Sequence, residues 1–83
     1  MADTIDRVEE LVRYLVTSLV EEPDAVTITR VAHADETVLE VAVGPEDVGK
    51  VVGRQGRIIK AIRTLARAAG ASDETYVHVE VIG

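Results

Sequence analysis

The sequence predicts an α+β fold in which helices cover one face of a three-stranded mixed sheet. Apolar residues recur every three or four positions between residues 5 and 20, which is typical of an amphipathic helix. Three runs rich in β-branched residues, at 26–31, 37–43 and 75–82, are typical of strands. Between the second and third runs, glycines interrupt a helical pattern. The expected order of elements is therefore α-β-β-α-α-β.

The first helix is expected over residues 4–22. Asp3 or Thr4 can cap its N-terminus, and Pro23 ends it because a proline keeps the preceding residue out of the helical region. We expect its apolar stripe to pack on the core, although such a helix can also bind a partner. The stripe consists of Ile5, Val8, Leu11, Val12, Leu15, Val16, Leu19 and Val20.

A β-hairpin is expected next, because two β-branched runs are joined by the polar residues 33–36. After Gly44-Pro45, a short helix should run to about Val52 and a second from Gly56 to about Ala69. Gly70 is expected to end that helix in the left-handed conformation. The predicted buried stripe of the second helix is Ile58, Ile62, Leu65, Ala66 and Ala69.

Length and composition favour a single cytoplasmic domain spanning residues 1–83. The chain has no cysteine, which excludes disulfides and thiolate chemistry. Its first residues do not resemble a signal peptide, and no apolar stretch approaches the roughly 20 residues that span a bilayer. We therefore expect no membrane association.

Charge is strongly segregated along the chain. The net charge is −6, but the segment 50–67 carries six basic residues and no acidic residue. The rest of the chain has three basic and fifteen acidic residues. This distribution predicts a basic face on an acidic body.

The tetrapeptide Gly53–Gly56, of the form G-x-x-G, lies within the basic segment. Glycines allow a sharp turn and close approach of another backbone, and the helix that follows would point its N-terminal amides toward a phosphate. Arg54, Arg57 and Lys60 would add positive charge. The other interpretation is a helical hairpin whose glycines only make the turn.

The sequence offers little support for nucleotide hydrolysis, metal binding or other catalysis. Residues 44–51 match a P-loop except that Val51 replaces the Ser or Thr that holds magnesium. His33 and His78 have no third ligand at metal spacing, and no nucleophile has a base beside it. We therefore predict no enzyme activity, no metal, no cofactor and no small-molecule substrate.

The run from Val52 to Ile62 resembles the core signature of KH domains: an aliphatic residue, G-x-x-G, then aliphatic residues at Ile59 and Ile62. The element order resembles the type II KH arrangement, with the core signature over 38–82. As a lone domain, the chain is similar to the KhpA family of small bacterial KH proteins.

This resemblance implies binding of single-stranded RNA by a loop that clamps about four nucleotides. The RNA-binding residues would be Lys50, Gly53, Arg54, Gln55, Gly56, Arg57 and Lys60. An aliphatic groove for the bases would be formed by Val41, Val48, Val51, Val52, Ile58 and Ile59.

The resemblance also implies a homodimer and a complex with the KH protein KhpB. It implies a role as an RNA chaperone or post-transcriptional regulator that influences cell shape and peptidoglycan homeostasis. Two alternatives stay open: a protein-interaction scaffold that uses the outer sheet face or the first helix, and a protein that binds single-stranded DNA.

Overall fold

The computed structural model describes residues 3–82, so residues 1, 2 and 83 of the expected domain lie outside the described part. The order α-β-β-α-α-β is confirmed. The helices are α1 (Thr4–Leu19), α2 (Val48–Val52) and α3 (Arg57–Ala71), and the strands are β1 (Thr27–His33), β2 (Glu36–Ala42) and β3 (Val77–Ile82). Single 3-10 turns occupy Pro23–Ala25, Pro45–Asp47 and Arg54–Gly56.

The sheet is mixed, as predicted, with β2 in the centre. β1 runs antiparallel to β2, and β3 runs parallel to it. The hairpin between β1 and β2 has a two-residue turn, Ala34-Asp35, because His33 pairs with Glu36. The parallel pair requires a crossover connection, which α2 and α3 supply.

The helices pack on one face of this sheet. Leu39, Val41 and Val79 point toward them and are completely buried. Arg30, which pairs in register with Leu39, reaches Asp6 and Glu9 of α1 from the same face. The alternate residues of β2 and β3 lie on the outer face, where Glu80 is exposed and Val38 is 7% exposed. Alternation along the strands therefore directs the core residues toward the helices, whereas the outer face is only partly exposed.

α1 begins as predicted and ends earlier than predicted. Asp3 caps it in a capping box with Asp6, and Val8, Val12 and Val16 are completely buried. The helix ends at Leu19, not at residue 22, because the carboxylate of Asp47 accepts hydrogen bonds from the backbone N–H groups of Glu21 and Glu22. Those amides, which immediately precede Pro23, are thus held away from helical partners.

The buried stripe of α3 differs from the prediction by about one residue. The buried positions are Ile59, Ile62, Ala66 and Gly70, whereas Leu65 is 48% exposed and Ala69 is also exposed. Both stripes have helical spacing, so the apolar pattern alone did not distinguish them. Gly70 decides the rotation, because it lies against the backbone of Thr75.

The prediction that Gly70 caps α3 in the left-handed conformation was wrong. Gly70 lies within α3, and its carbonyl accepts a hydrogen bond from the Thr75 N–H at 2.9 Å. A Cβ at Gly70 would lie 2.5 Å from the Thr75 carbonyl oxygen. The left-handed residue is Glu74, with φ 55°. Gly70 is therefore required by close packing at the start of the path into β3.

Replacing Gly70 by Ala should lower the free energy of unfolding by about 1–3 kcal/mol, because the new methyl group overlaps the Thr75 backbone. The control is Gly49→Ala in α2, where a Cβ would meet no atom within 4 Å. That change should raise stability by up to about 1 kcal/mol, since alanine is the better helix former. Urea denaturation measures both; equal effects of the two changes would contradict the packing argument.

Candidate nucleic-acid interface

The G-x-x-G loop joins α2 to α3 through backbone conformations that most residues avoid. Gly53 has φ 77° and ψ 172°, a region that is essentially restricted to glycine. Gln55 and Gly56 are both left-handed, with φ 59° and φ 73°. The Gly53 N–H donates to the Gly49 carbonyl and the Gly56 N–H donates to the Gly53 carbonyl. The chain thus leaves α2, turns within four residues and enters α3.

The two glycines serve different purposes. A Cβ on Gly53 would lie 2.6–2.9 Å from the side chain and backbone nitrogen of Ile58, so the loop packs directly on α3 there. A Cβ on Gly56 would meet nothing closer than 3.8 Å, so that position requires glycine only for its conformation. The surroundings of Gly56 are therefore open enough for another backbone to approach.

The basic residues fall into two groups. The four that precede the loop, Arg7, Arg13, Arg30 and Lys50, are all paired with carboxylates. Arg54, Arg57, Lys60, Arg63 and Arg67 form no ion pair with any residue of 3–82, and all but the half-buried Arg63 are exposed. The unneutralised positive charge of the described fold is thus concentrated on the loop and α3.

Individual contacts distinguish the members of the second group. A guanidinium nitrogen of Arg57 donates to the Gln55 side-chain oxygen at 3.3 Å, which brings these two predicted residues together. Arg63 instead donates from Nε to the Val79 carbonyl on β3, at 2.8 Å. Arg63 therefore binds to the sheet, whereas Arg54, Arg57 and Lys60 lie around the start of α3.

Lys50 differs from the other predicted RNA-binding residues. Its Nζ lies 3.0 Å from Glu21 Oε1 and 3.3 Å from Asp47 Oδ1. The hydrogen bond to Glu21 is the largest cause that raises the pKa of Lys50, followed among the favourable contacts by the bond to Asp47. A phosphate would have to compete with both carboxylates for this ammonium group.

The six predicted groove residues divide into three that form core and three that reach the surface. Val41 and Val51 are completely buried and Ile59 is 6% exposed, so these three residues belong to the core on which the site rests. The other three, Val48, Val52 and Ile58, are half-buried beside the loop. The surface that a ligand can touch is therefore narrower than the predicted set.

A model of the family described as KhpA/KhpB, KH domain, matches residues 9–81. The chain belongs to this family. It is 45% identical to the RNA-binding protein KhpA of Caldanaerobacter subterraneus subsp. tengcongensis over 88% of this chain and 97% of that protein. With the RNA-binding protein KhpA of Clostridium perfringens the identity is 46%, over 89% and 99% of the two chains. The predicted family resemblance is thereby confirmed.

A crystal structure of Era from Aquifex aeolicus bound to GDP.AlF4- resembles this KH domain. The TM-score is 0.61 over 89% of the present chain, at 20% sequence identity. The present chain spans 29% of the length of that Era chain. At this identity the likeness shows the KH fold alone.

Asp47 lies near the site and was not among the residues that the sequence pattern singled out. It is 2% exposed, and its carboxylate accepts from the N–H groups of Glu21 and Glu22 and from Lys50 Nζ. The Glu21 N–H is the largest cause that lowers the pKa of Asp47, against the opposing effect of burial. Its stabilisation of the fold is therefore full above the unfolded-state pKa of about 3.9 and is lost as the pH falls through the lowered value.

A surface depression lies away from the loop. A shallow depression of about 320 Å³ lies at the hairpin end of the sheet, lined by residues of 32–37 and 74–76. Within residues 3–82, no three His, Cys, Asp or Glu side chains are grouped so that they could hold a metal ion. No helix of the described KH domain is long and apolar enough to cross a membrane.

The two glycines of the loop should respond differently to replacement by alanine. Gly53→Ala combines a glycine-only conformation with overlap against Ile58, so it should lower the free energy of unfolding by about 3 kcal/mol or more. Gly56→Ala incurs only left-handed strain, about 1–2 kcal/mol. Urea denaturation of the two variants checks this; a Gly56→Ala variant as unstable as Gly53→Ala would contradict the described packing.

Proposed function

We propose that this KH domain binds single-stranded RNA, without catalysis, through the Gly53–Gly56 loop and the adjacent aliphatic surface. The observation that carries the proposal is the distribution of ion pairs among residues 3–82: the arginines and the lysine before the loop are paired with carboxylates, and the arginines and the lysine from Arg54 onward are not. Relatives that are about 45% identical over nearly the whole chain are named RNA-binding protein KhpA, which supports the same conclusion.

The site would divide an RNA strand between two kinds of contact. Phosphates would lie near Gly56, where the backbone is open, and near the exposed side chains of Arg54, Arg57 and Lys60. Bases would lie on Val48, Val52 and Ile58, whose half-buried side chains offer apolar contact beside the loop. The two tyrosines, Tyr14 and Tyr76, lie on α1 and before β3, so aromatic stacking on the loop is not part of this mode.

A site of this size neutralises few phosphates. With three or four contacts at ~0.7 each, the logarithm of the RNA association constant should fall with the logarithm of salt concentration at a slope of about −2 to −3. Such a short site binds weakly by itself. Useful affinity then requires a second site on the same RNA, which raises the effective concentration of the first.

Changing Arg54 and Gln55 together to Asp should abolish RNA binding and preserve the fold. Aspartate tolerates the left-handed conformation of Gln55, so the loop keeps its shape while its charge becomes negative. The matched control is Arg13→Asp with Ala34→Asp, which changes the net charge equally at exposed positions away from the loop. Fluorescence anisotropy with a short labelled RNA measures binding, and wild-type affinity of the loop variant would refute the clamp.

A homodimer, or a complex with KhpB, would supply the second site. The exposed face of α3 carries Leu65, 48% exposed, with Ala61 one turn before it and Ala68 one turn after it. This uncharged stripe is continuous along the helix, which favours helix-to-helix association over contacts through the sheet. We propose that copies of the domain associate through this face.

Leu65→Glu should weaken self-association and leave the fold intact, because the side chain is half-exposed. Tyr14→Glu is the control, since Tyr14 is an exposed apolar residue, 68% accessible, on α1. Sedimentation velocity over a concentration series should show a dimer for the wild type and the Tyr14 variant and a monomer for the Leu65 variant. A wild-type protein that is monomeric throughout would contradict the dimer.

The family resemblance extends the proposal to a role as an RNA chaperone or post-transcriptional regulator that influences cell shape and peptidoglycan homeostasis. The second candidate function is a protein-interaction scaffold, favoured by the outer face of the sheet, where Glu80 and Ile82 are exposed. Crosslinking in cells separates the two: RNA recovered with the purified protein supports the first, and protein alone supports the second. Competition between RNA and DNA oligonucleotides of one sequence decides which nucleic acid is bound.

A further inference from the structure

Asp47 is the one charged side chain that the fold buries within residues 3–82. A buried carboxylate is unfavourable unless its oxygens are satisfied. Here Oδ1 accepts from the Glu21 N–H at 3.2 Å and from Lys50 Nζ at 3.3 Å, and Oδ2 accepts from the Glu22 N–H at 3.1 Å. Two of these three donors are backbone groups, so their positions cannot change without moving the chain.

These hydrogen bonds join two segments that are distant in sequence. Glu21 and Glu22 follow α1, which is fixed in the core by fully buried valines. Asp47 directly precedes α2, and the five residues of α2 lead straight into Gly53. The carboxylate therefore ties the start of α2, which leads into the G-x-x-G loop, to the segment that follows α1.

α2 has few other means of holding its position. A five-residue helix is unstable by itself, because nucleation costs more than so few hydrogen bonds return. Val51 is its one buried side chain, while Gly49 and Lys50 are exposed and Val48 and Val52 are half-buried. The placement of Val48 and Val52 beside the loop thus depends on Asp47 before α2, on Val51 within it and on the close contact of Gly53 with Ile58 after it.

We propose that Asp47 is a positioning residue for RNA binding, which holds α2 against α1 so that the G-x-x-G loop and the aliphatic surface are presented together. This inference rests on the proposed function of the loop. Asp47 itself is buried and does not touch RNA in this mode. Loss of its carboxylate lets α2 move and lowers the fraction of molecules with a binding-competent loop.

A different role for Asp47 would change RNA affinity in the opposite direction. Asp47 and Glu21 hold the ammonium group of Lys50, so they could withhold a cation from RNA. Removing the carboxylate would then release Lys50 and strengthen binding. The two backbone hydrogen bonds favour positioning, because an asparagine amide would place an N–H₂ group against an N–H donor.

The test compares Asp47→Asn with Asp35→Asn, a matched change at the exposed turn between β1 and β2. If the competent fraction falls to about one tenth, the RNA dissociation constant of the Asp47 variant rises about tenfold. Its salt slope stays at the wild-type value, because no phosphate contact is lost. Arg57→Gln, by contrast, should weaken binding and reduce the salt slope by about 0.7. Asp35→Asn should change neither quantity.

Hydrogen exchange distinguishes a local change in the loop from a general loss of stability. Amides of residues 53–58 should exchange faster in the Asp47 variant, whereas amides of β2 and β3 keep their wild-type protection. Binding is measured at a temperature at which circular dichroism shows the variant to be folded. If Asp47→Asn does not fold at any temperature, the same measurements are made on Asp47→Glu, which keeps the charge and displaces the oxygens.

The outcomes separate this proposal from the one on which it rests. Wild-type RNA affinity in the folded Asp47 variant, with binding lost on changing Arg54 and Gln55 to Asp, overturns positioning and leaves the clamp intact. Tighter binding by the Asp47 variant also overturns positioning. Wild-type affinity of the Arg54 and Gln55 double variant refutes the loop as the RNA site and, with it, the role of Asp47.

Discussion

The contact between Gly53 and Ile58 determines how the rest of the site is arranged. With no side chain at Gly53, α2 and α3 approach so closely that a methyl group would not fit between them. Three consequences follow from this one approach: the loop must turn through left-handed conformations, α3 begins with no side chain capping it, and Ile58 stays half-exposed at the edge of the core. The exposed cations Arg54 and Arg57 and the half-buried aliphatic side chain of Ile58 are thereby brought close together at one short turn.

The ion pairs among residues 3–82 determine where the molecule carries positive charge that is not neutralised. The acidic side chains of α1 neutralise Arg30 of β1 from the helix side of the sheet, and Glu21 and Asp47 neutralise Lys50. An acidic protein can in this way keep a local cationic surface, because the ion pairs with its carboxylates involve the basic residues that precede the loop. Net charge is therefore a poor guide to whether this KH domain attracts a polyanion.

Much of the fold was predictable because it depends on local patterns. The alternation in β2 and β3, the polar hairpin turn and the order of elements all follow from spacings of two and of three to four residues. The G-x-x-G loop was predictable as well, because positive φ at Gly53 and Gly56 is a property of glycine itself. These features required no knowledge of which segments meet in space.

The features that could not be predicted depend on which segments of the chain contact one another. Gly70 was misassigned because its partner is the Thr75 backbone after a turn, and the same contact sets the rotation of α3 that exposes Leu65. The end of α1 at Leu19 is determined by a carboxylate more than twenty residues away. Val41 and Val51 were expected to line the groove, but their complete burial depends on how the helices pack on the sheet, which an aliphatic signature does not reveal.

The hydrogen bond from Arg63 to the Val79 carbonyl has a consequence for how the protein avoids unwanted association. β3 is an edge strand, and its outward carbonyls could template another strand, which is the usual route to sheet-to-sheet aggregation. Because the Thr37 N–H bonds to the Tyr76 carbonyl, Val79 lies on the alternate, outward-facing set, and Arg63 occupies its oxygen. A strand that joined this edge would first have to displace a guanidinium group. One arginine of α3 thus obstructs strand pairing at the β3 edge of the sheet.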